Sequence, residues 1–115
     1  MKAMLGVSVE QSNGSNILRV AGEVDLATAD QFAARLIDAL RPDRALIVDL
    51  SELSYIDVRG AKVLGDAGAR AHAAGQRCIV VSSNRLIHKV FSILEFDGQI
   101  DLVGTLDDAR KLLRG

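Results

Sequence analysis

The sequence is poor in groups that perform chemistry on their own. It contains a single cysteine, Cys78, which excludes an intramolecular disulfide and any thiolate metal cluster. That cysteine sits in the strand-like segment "QRCIVV", where a thiol reads as a small buried hydrophobe rather than a nucleophile, and nothing requires an oxidising compartment. Neither charge is in excess: 14 Lys plus Arg stand against 15 Asp plus Glu. No global field therefore favours nucleic acid or an anionic membrane, and a partner must be recognised locally. No window approaches the roughly 20 apolar residues of a membrane span. The N-terminal "MKAMLGVSVEQ" carries only a short apolar piece broken by Gly6 and Ser8, with no cleavage signal behind it. A cytoplasmic protein without membrane insertion is the expectation. Linkers, repeats and low-complexity segments are missing as well, so the 115 residues, 49% of them hydrophobic, read as one domain spanning 1–115. Such a chain buries about two thirds of its unfolded surface.

What is present is regular. Leu5, Val7 and Val9 alternate with Gly6, Ser8 and Glu10, and Ile17 to Ala21 form a second apolar run. Asn13-Gly14 lies between them, and because both residues tolerate positive φ the pair predicts a hairpin. Ala29, Phe32, Ala33, Leu36 and Leu40 then fall at helical spacing, with Thr28 and Gln31 placed as a capping box and Arg41-Pro42 ending the helix. "ALIVDL" has the continuous apolar character of a central strand, followed by "SELSYIDVRG" as a loop. From Val58 to Ala74 the period is helical again. Val58, Ala61, Leu64, Ala67 and Ala71 share the inward face, Asp57 is the natural N-cap, Gly75 the C-cap, and Gly60, Gly65 and Gly68 imply close packing. "RCIVVS" predicts the next strand. "SSNRLIHKVFSILEF" predicts a helix capped by Ser82 or Ser83, with Leu86, Val90, Phe91 and Leu94 inward and His88 a solvated polar position. A short strand over Ile100 to Val103 and a helix capped by Thr105 complete the chain.

Strands joined by helices demand parallel neighbours and right-handed crossovers. The predicted fold is α/β, a mixed sheet of four to five strands, largely parallel after the N-terminal hairpin, with about four helices. In such sheets the loops leaving the C-terminal strand ends converge on one rim. That places Asp25 of "GEVDLAT", Asp57 and Arg59 of "SELSYIDVRG", and Asn84 of "SSNR" along a common edge.

The rim is a weak catalytic centre. Asp25 and Asp57 both precede helices, where a carboxylate satisfies backbone donors, and His72 and His88 sit on helices away from the loops. The phosphate-cradling motifs GxxxxGK(S/T) and GxGxxG are missing. No cofactor or metal is implied. A phosphoreceiver, with Asp49 as acceptor, would need an acidic pair after the first strand and a lysine after the last, and neither is there.

Three segments together resemble the STAS family, the domain of bacterial anti-sigma factor antagonists, stress-signalling scaffolds and some transporter subunits. They are "GEVD", "IVDLSELSYID" with Gly60 following, and "SSNRLIHKVFSILEFDGQIDLVGTLDDA". The resemblance implies a non-catalytic module that binds an anti-sigma factor or a related kinase-fold protein. It also implies that the family's loop aspartates fall on Asp25 and Asp57. In antagonists of the family a kinase partner phosphorylates a serine or threonine at the helix start, and that position falls on Arg59, preceded by Val58. Arginine has no hydroxyl, so this switch cannot operate at Arg59. The partner-binding set implied is Asp25, Thr28, Asp57, Val58, Arg59, Lys62 and Asn84, with Ser51, Ser54 and Thr28 open as substitute phosphosites and Arg70 extending a basic strip. The alternative from another class is a STAS subunit of a lipid or membrane transport ATPase assembly, and self-association as a homodimer is left open.

Overall fold

A computed structural model describes residues 5–94 and 98–114. Asn13 and Gly14 take φ of 44° and 85°, the signs of a type I′ turn, and they join β1 (Leu5–Ser12) to β2 (Ser15–Val24) in antiparallel register from Leu5↔Gly22 to Ser12↔Ser15. The chain continues through α1 (Ala29–Ala39), β3 (Ala45–Ile56), α2 (Val58–Ala73), β4 (Cys78–Val81), α3 (Arg85–Leu94), β5 (Asp101–Val103) and α4 (Leu106–Arg114). The sheet order is β1-β2-β3-β4-β5, parallel from β2 onward. Since each crossover advances the sheet in the same direction, right-handedness puts α1, α2 and α3 on one face.

That face holds the main core, in which Phe32, Leu36, Leu64 and Ile87 meet Leu18, Val20, Leu46, Val48 and Leu50. On the other face α4 covers Ile17, Ile47, Ile79 and Val81 through Ala109. The first half of β3, Ala45 to Leu50, and all of β4 are covered on both faces, which is why their sequence shows so little polar alternation.

The strand and helix ends follow local chemistry, with four corrections to the sequence-based expectation. First, β3 does not end at "ALIVDL" but runs on through "SELSYI" to Ile56. Its register against β2 shifts twice: Arg19↔Asp49 is followed by Ala21↔Glu52, and Gly22↔Leu53 by Glu23↔Tyr55. Each shift inserts an extra residue on β3, a β-bulge. The bulges are tied locally, Ser51 N donating to Asp49 Oδ1 at 3.0 Å and Ser54 Oγ to the Gly22 carbonyl at 3.0 Å. Second, Thr28 and Gln31 form no capping box. The Thr28 hydroxyl turns back to donate to the Glu23 carbonyl at 2.7 Å and accept from Asp25 N at 3.0 Å, while Gln31 Nε2 reaches the Leu5 carbonyl.

Third, the inward face of α3 begins at Ile87 rather than Leu86: Ile87 is buried and Leu86 is 68% exposed, while Phe91, Val90 and Leu94 pack on the core as expected. Its cap is Asn84, whose Oδ1 accepts from Leu86 N at 2.9 Å, whereas Ser82 Oγ accepts from Asn84 N. Fourth, His88 is half-buried rather than solvated, with Nε2 hydrogen-bonded to the Ser82 carbonyl. The expected extension of this helix to Glu95 and Phe96 lies outside the described residues. Two other helix ends match expectation. α2 ends in a Schellman motif, with Gln76 N bonded to Ala71 O, Gly75 N to His72 O and Gly75 at φ 77°, and Thr105 Oγ1 accepts from Asp108 N.

Cys78 is buried, and burial pushes its thiol from 9.0 up to about 12, with the charge of Asp101 adding to the effect. The thiol stays protonated in the folded chain while the unfolded chain ionises above its ordinary value. The folded state then binds the extra proton, so this contribution to stability is complete below about pH 8.5 and declines as pH rises toward 12. A disulfide reagent at neutral pH is expected to leave Cys78 unmodified in the native protein and to titrate it fully in denaturant. Fast native labelling would place the thiol at the surface.

Candidate protein-binding rim

The last pair of the β2–β3 ladder is Val24↔Ile56, so the next residue on each strand is an aspartate, Asp25 and Asp57, side by side at the sheet end. The backbone closes across this point, Asp57 N donating to the Val24 carbonyl at 3.1 Å. Asp25 organises the turn into α1: its Oδ1 accepts from Ala27 N at 2.9 Å, and its carbonyl accepts from Ala29 N at 2.8 Å. The Thr28 hydroxyl locks the same turn from beneath, and Thr28 itself is buried.

Asp57 caps α2, its Oδ1 accepting from Gly60 N at 2.9 Å and its carbonyl from Ala61 N at 3.0 Å. The carboxylate thereby satisfies a donor that the helix start leaves without a partner and lies at the positive end of the dipole. Removing it in Asp57→Ala is expected to cost about 1 kcal/mol of stability, read as a lowered urea midpoint with an unchanged m-value. An unchanged midpoint would mean that the cap contributes nothing.

Gly60 brings α2 down onto the strand ends. A Cβ built there would stand 2.5 Å from Val24 Cγ1 and 2.8 Å from Ile56 Cγ1, distances that no side chain can occupy. The helix start, its cap and the two strand ends therefore form one rigid corner, and the side chains that leave it outward are free. Arg59 and Lys62 are exposed and form no ion pair or hydrogen bond among the described residues. Arg59 does not fold back onto Asp25 or Asp57, whose Oδ1 atoms take backbone donors.

The rim also exposes apolar side chains. Leu26 in the β2–α1 turn is 72% exposed, and Val58 and Tyr55 are each 49% exposed. Val58 was expected on the buried face of α2; at the first helical position it has no strand beneath it and points away. Leu26 and Tyr55 escape the sequence-based site. The signal that could have found Leu26 is its place between Asp25 and the first apolar helix position, in a turn with no partner strand to cover it. Tyr55 follows the second bulge, and by strand alternation it faces away from the helices while Ile56 faces them.

Asn84 lies elsewhere on the sheet. β4 ends at Val81, paired with Asp49, and the β2–β3 ladder runs on from Arg19↔Asp49 to Val24↔Ile56, five residues along the unbulged β2, roughly 17 Å at strand rise. The structure thus brings Asp25, Thr28, Asp57, Val58, Arg59 and Lys62 to one corner and sets Asn84 apart as the cap of α3. Asp49 is bound by Arg19 Nε at 3.6 Å and by Ser51. Among the described residues no cluster of His, Cys, Asp and Glu has metal-holding geometry, and no helix is long and apolar enough to cross a membrane.

The profile of the STAS domain matches residues 6–109. The chain belongs to the STAS domain family. Among curated proteins it is similar to the anti-sigma-F factor antagonist RsfB of Mycobacterium tuberculosis, 29% identical over 112 residues that cover 95% of this chain and 89% of RsfB. Among solved STAS structures it matches an anti-sigma factor antagonist from Mycobacterium paratuberculosis with a TM-score of 0.79 at 25% identity, covering 97% and 96% of the two chains. The unphosphorylated form of the anti-sigma factor antagonist SpoIIAA of Bacillus shares the fold, with a TM-score of 0.73 at 20% identity over 96% and 97%.

Proposed function

We propose that this STAS protein is a non-catalytic regulatory module that binds an anti-sigma factor, or a related regulator of kinase fold, through the corner formed by the β2–α1 turn and the start of α2. The observation that carries this is the corner itself: an unpaired guanidinium at Arg59, with exposed Val58 beside it in the chain and exposed Leu26 in the β2–α1 turn, on a backbone fixed by Asp25, Asp57 and Gly60. Arginine and aromatic anchors on a rigid support are what protein interfaces concentrate their energy in. The likeness to RsfB along nearly the whole chain supports the kind of partner.

Binding proceeds without a phosphate at the helix start, because Arg59 offers no acceptor oxygen. The substitutes are poorly placed for a kinase. Thr28 is buried with its hydroxyl engaged by Glu23 and Asp25, and Ser51 and Ser54 lie within β3 with their hydroxyls bonded to Asp49 and Gly22. Affinity capture of the tagged full chain from its native cells, read by mass spectrometry, tests the proposal. An anti-sigma factor or kinase-fold regulator is the expected prey, with the bait at its unmodified intact mass. Recovery of a permease and its ATPase instead, or stoichiometric phosphate on the α2 start, would overturn it.

A further inference from the structure

α1 and α2 cross the same sheet face in the same direction, and their adjoining surfaces leave an open furrow. Two concavities make it up, about 100 Å³ and about 240 Å³, and they share Ile37 and Arg70, so they form one continuous trough. Its floor is apolar, with Ala33 and Leu36 from α1 and Ala67 and Ala71 from α2. Ile37 stands in it with 49% of its surface open.

The lips are charged, and mostly of one sign. Arg59, Lys62 and Arg70 follow one another at helical spacing along α2, and Arg41 lies at the far end beyond α1. Asp66 and, on the first turn of α1, Asp30 are the opposing acids. None of the three α2 cations is paired among the described residues, and Arg41 is engaged only by the carbonyls of Asp38 and Leu40. Arg41 and Arg70 against Asp66 line the furrow itself, and Arg59 and Lys62 against Asp30 continue along the same two helices, which gives a net positive edge over an apolar floor in a molecule whose overall formal charge is −1.

We infer that the α1–α2 furrow is a docking groove for an acidic amphipathic helix of the protein partner, whose apolar stripe covers Ile37 and Val63 and whose carboxylates meet Arg59, Lys62 and Arg70. The inference rests on the partner-binding function proposed above and adds the chemistry of the partner's contacting element. Helix-in-groove recognition needs an apolar trough with anchors at one- and two-turn spacing, and Ile37 with Val63 supplies its centre. The cations along the lips select acidic flanks and set the helix direction along the groove.

The test uses a synthetic amphipathic helix of about 16 residues, leucine on one stripe and glutamate flanking it, titrated into the labelled full-length protein and followed by NMR. Saturable shifts confined to the α1–α2 lips are expected. Ile37→Glu and Arg70→Glu, both at exposed positions, should each weaken binding by about tenfold or more, and a peptide with lysine in place of glutamate should not bind. Circular dichroism establishes that each variant is folded, and Arg70→Glu decides alone if Ile37→Glu is not. Scattered shifts, shifts centred on exposed Leu86 and Ile93 of α3, equal binding of the lysine peptide, or affinities unchanged in the variants would overturn the groove. Since no anti-sigma factor enters this experiment, its failure leaves the rim proposal standing, and failure of the capture experiment leaves the groove measurable.

Discussion

Replacing Gly60 by valine is expected to destabilise the protein by about 3 kcal/mol, the upper end of overpacking costs, and to abolish partner binding at temperatures where the chain is still folded. The Cβ position lies 2.5 Å from Val24 Cγ1 and 2.8 Å from Ile56 Cγ1, and both neighbours are buried at the last pair of the β2–β3 ladder. They cannot yield without moving the strand ends that carry Asp25 and Asp57. α2 would have to lift instead, opening the corner. Gly60→Ala sets two effects against each other: alanine gains about 1 kcal/mol of helix propensity over glycine, whereas the overpacking costs about 1–3 kcal/mol. Since even a bare Cβ is too close by more than half an ångström, the steric term should win and Gly60→Ala should also be destabilised, though less than the valine variant. Gly104→Ala, where nothing lies within 4 Å, is the control and should be close to neutral. Denaturant titration of the three variants decides it, and a Gly60→Ala protein more stable than the parent would show that the corner is soft.

The elements that the sequence made legible are those governed by a single local rule. Asn13-Gly14 needs only positive φ, Asp57 only a carboxylate before a helix, and Gly75 only a left-handed end to α2. Sheet direction followed from crossover geometry, and the helix count from apolar spacing. What escaped needed two rules acting at once. β3 was cut short because its bulges break alternation within "SELSYI", so the buried residues Leu50, Leu53 and Ile56 recur every third position rather than every second. That spacing is read as loop or helix, never as strand. On α3 the inward positions Val90, Phe91 and Leu94 were legible, but Leu86 and Ile87 are both apolar neighbours, and packing against the sheet buries Ile87. At the site, Asp25, Asp57 and Arg59 were legible from order along the chain, but Asn84 was grouped with them because strand length was not: β4 has four residues and β3 twelve.

The same topology leaves the molecule with a projecting rim rather than an enclosing cleft. Cofactor clefts in open α/β sheets form where the strand order reverses, between helices that diverge to opposite faces. Here the order of the described strands never reverses, so α1 and α2 stay side by side, and a furrow takes the place of a cleft. The long β3 carries the rim beyond the end of β4, and Leu26, Tyr55 and Val58 are exposed on this overhang. A flat apolar projection with a cation at its centre suits a protein surface better than a small molecule.

Arg59→Glu is the second variant with a large expected effect, a loss of partner affinity of about 30-fold or more, corresponding to about 2 kcal/mol for an arginine anchor, with unfolding midpoint within about 0.5 kcal/mol of the parent. The separation of the two effects is the point. Arg59 is exposed and bonded to no described residue, so nothing in the fold depends on it. A glutamate in the first turn of α2 even gains from the helix dipole, by about 0.3–1 kcal/mol, which biases stability slightly upward while binding falls. Arg59→Ala should fall between, losing the attraction without adding repulsion. Arg59→Ser would restore a hydroxyl at the helix start, beside the cap of Asp57, and incubation with the partner and ATP would show whether that partner is a kinase able to use it. Phosphate on Arg59→Ser together with release of the complex would mean that the arginine holds the protein in its binding form by removing the acceptor. Equal affinity of the parent and Arg59→Glu would instead move the interface off this corner, whatever the partner.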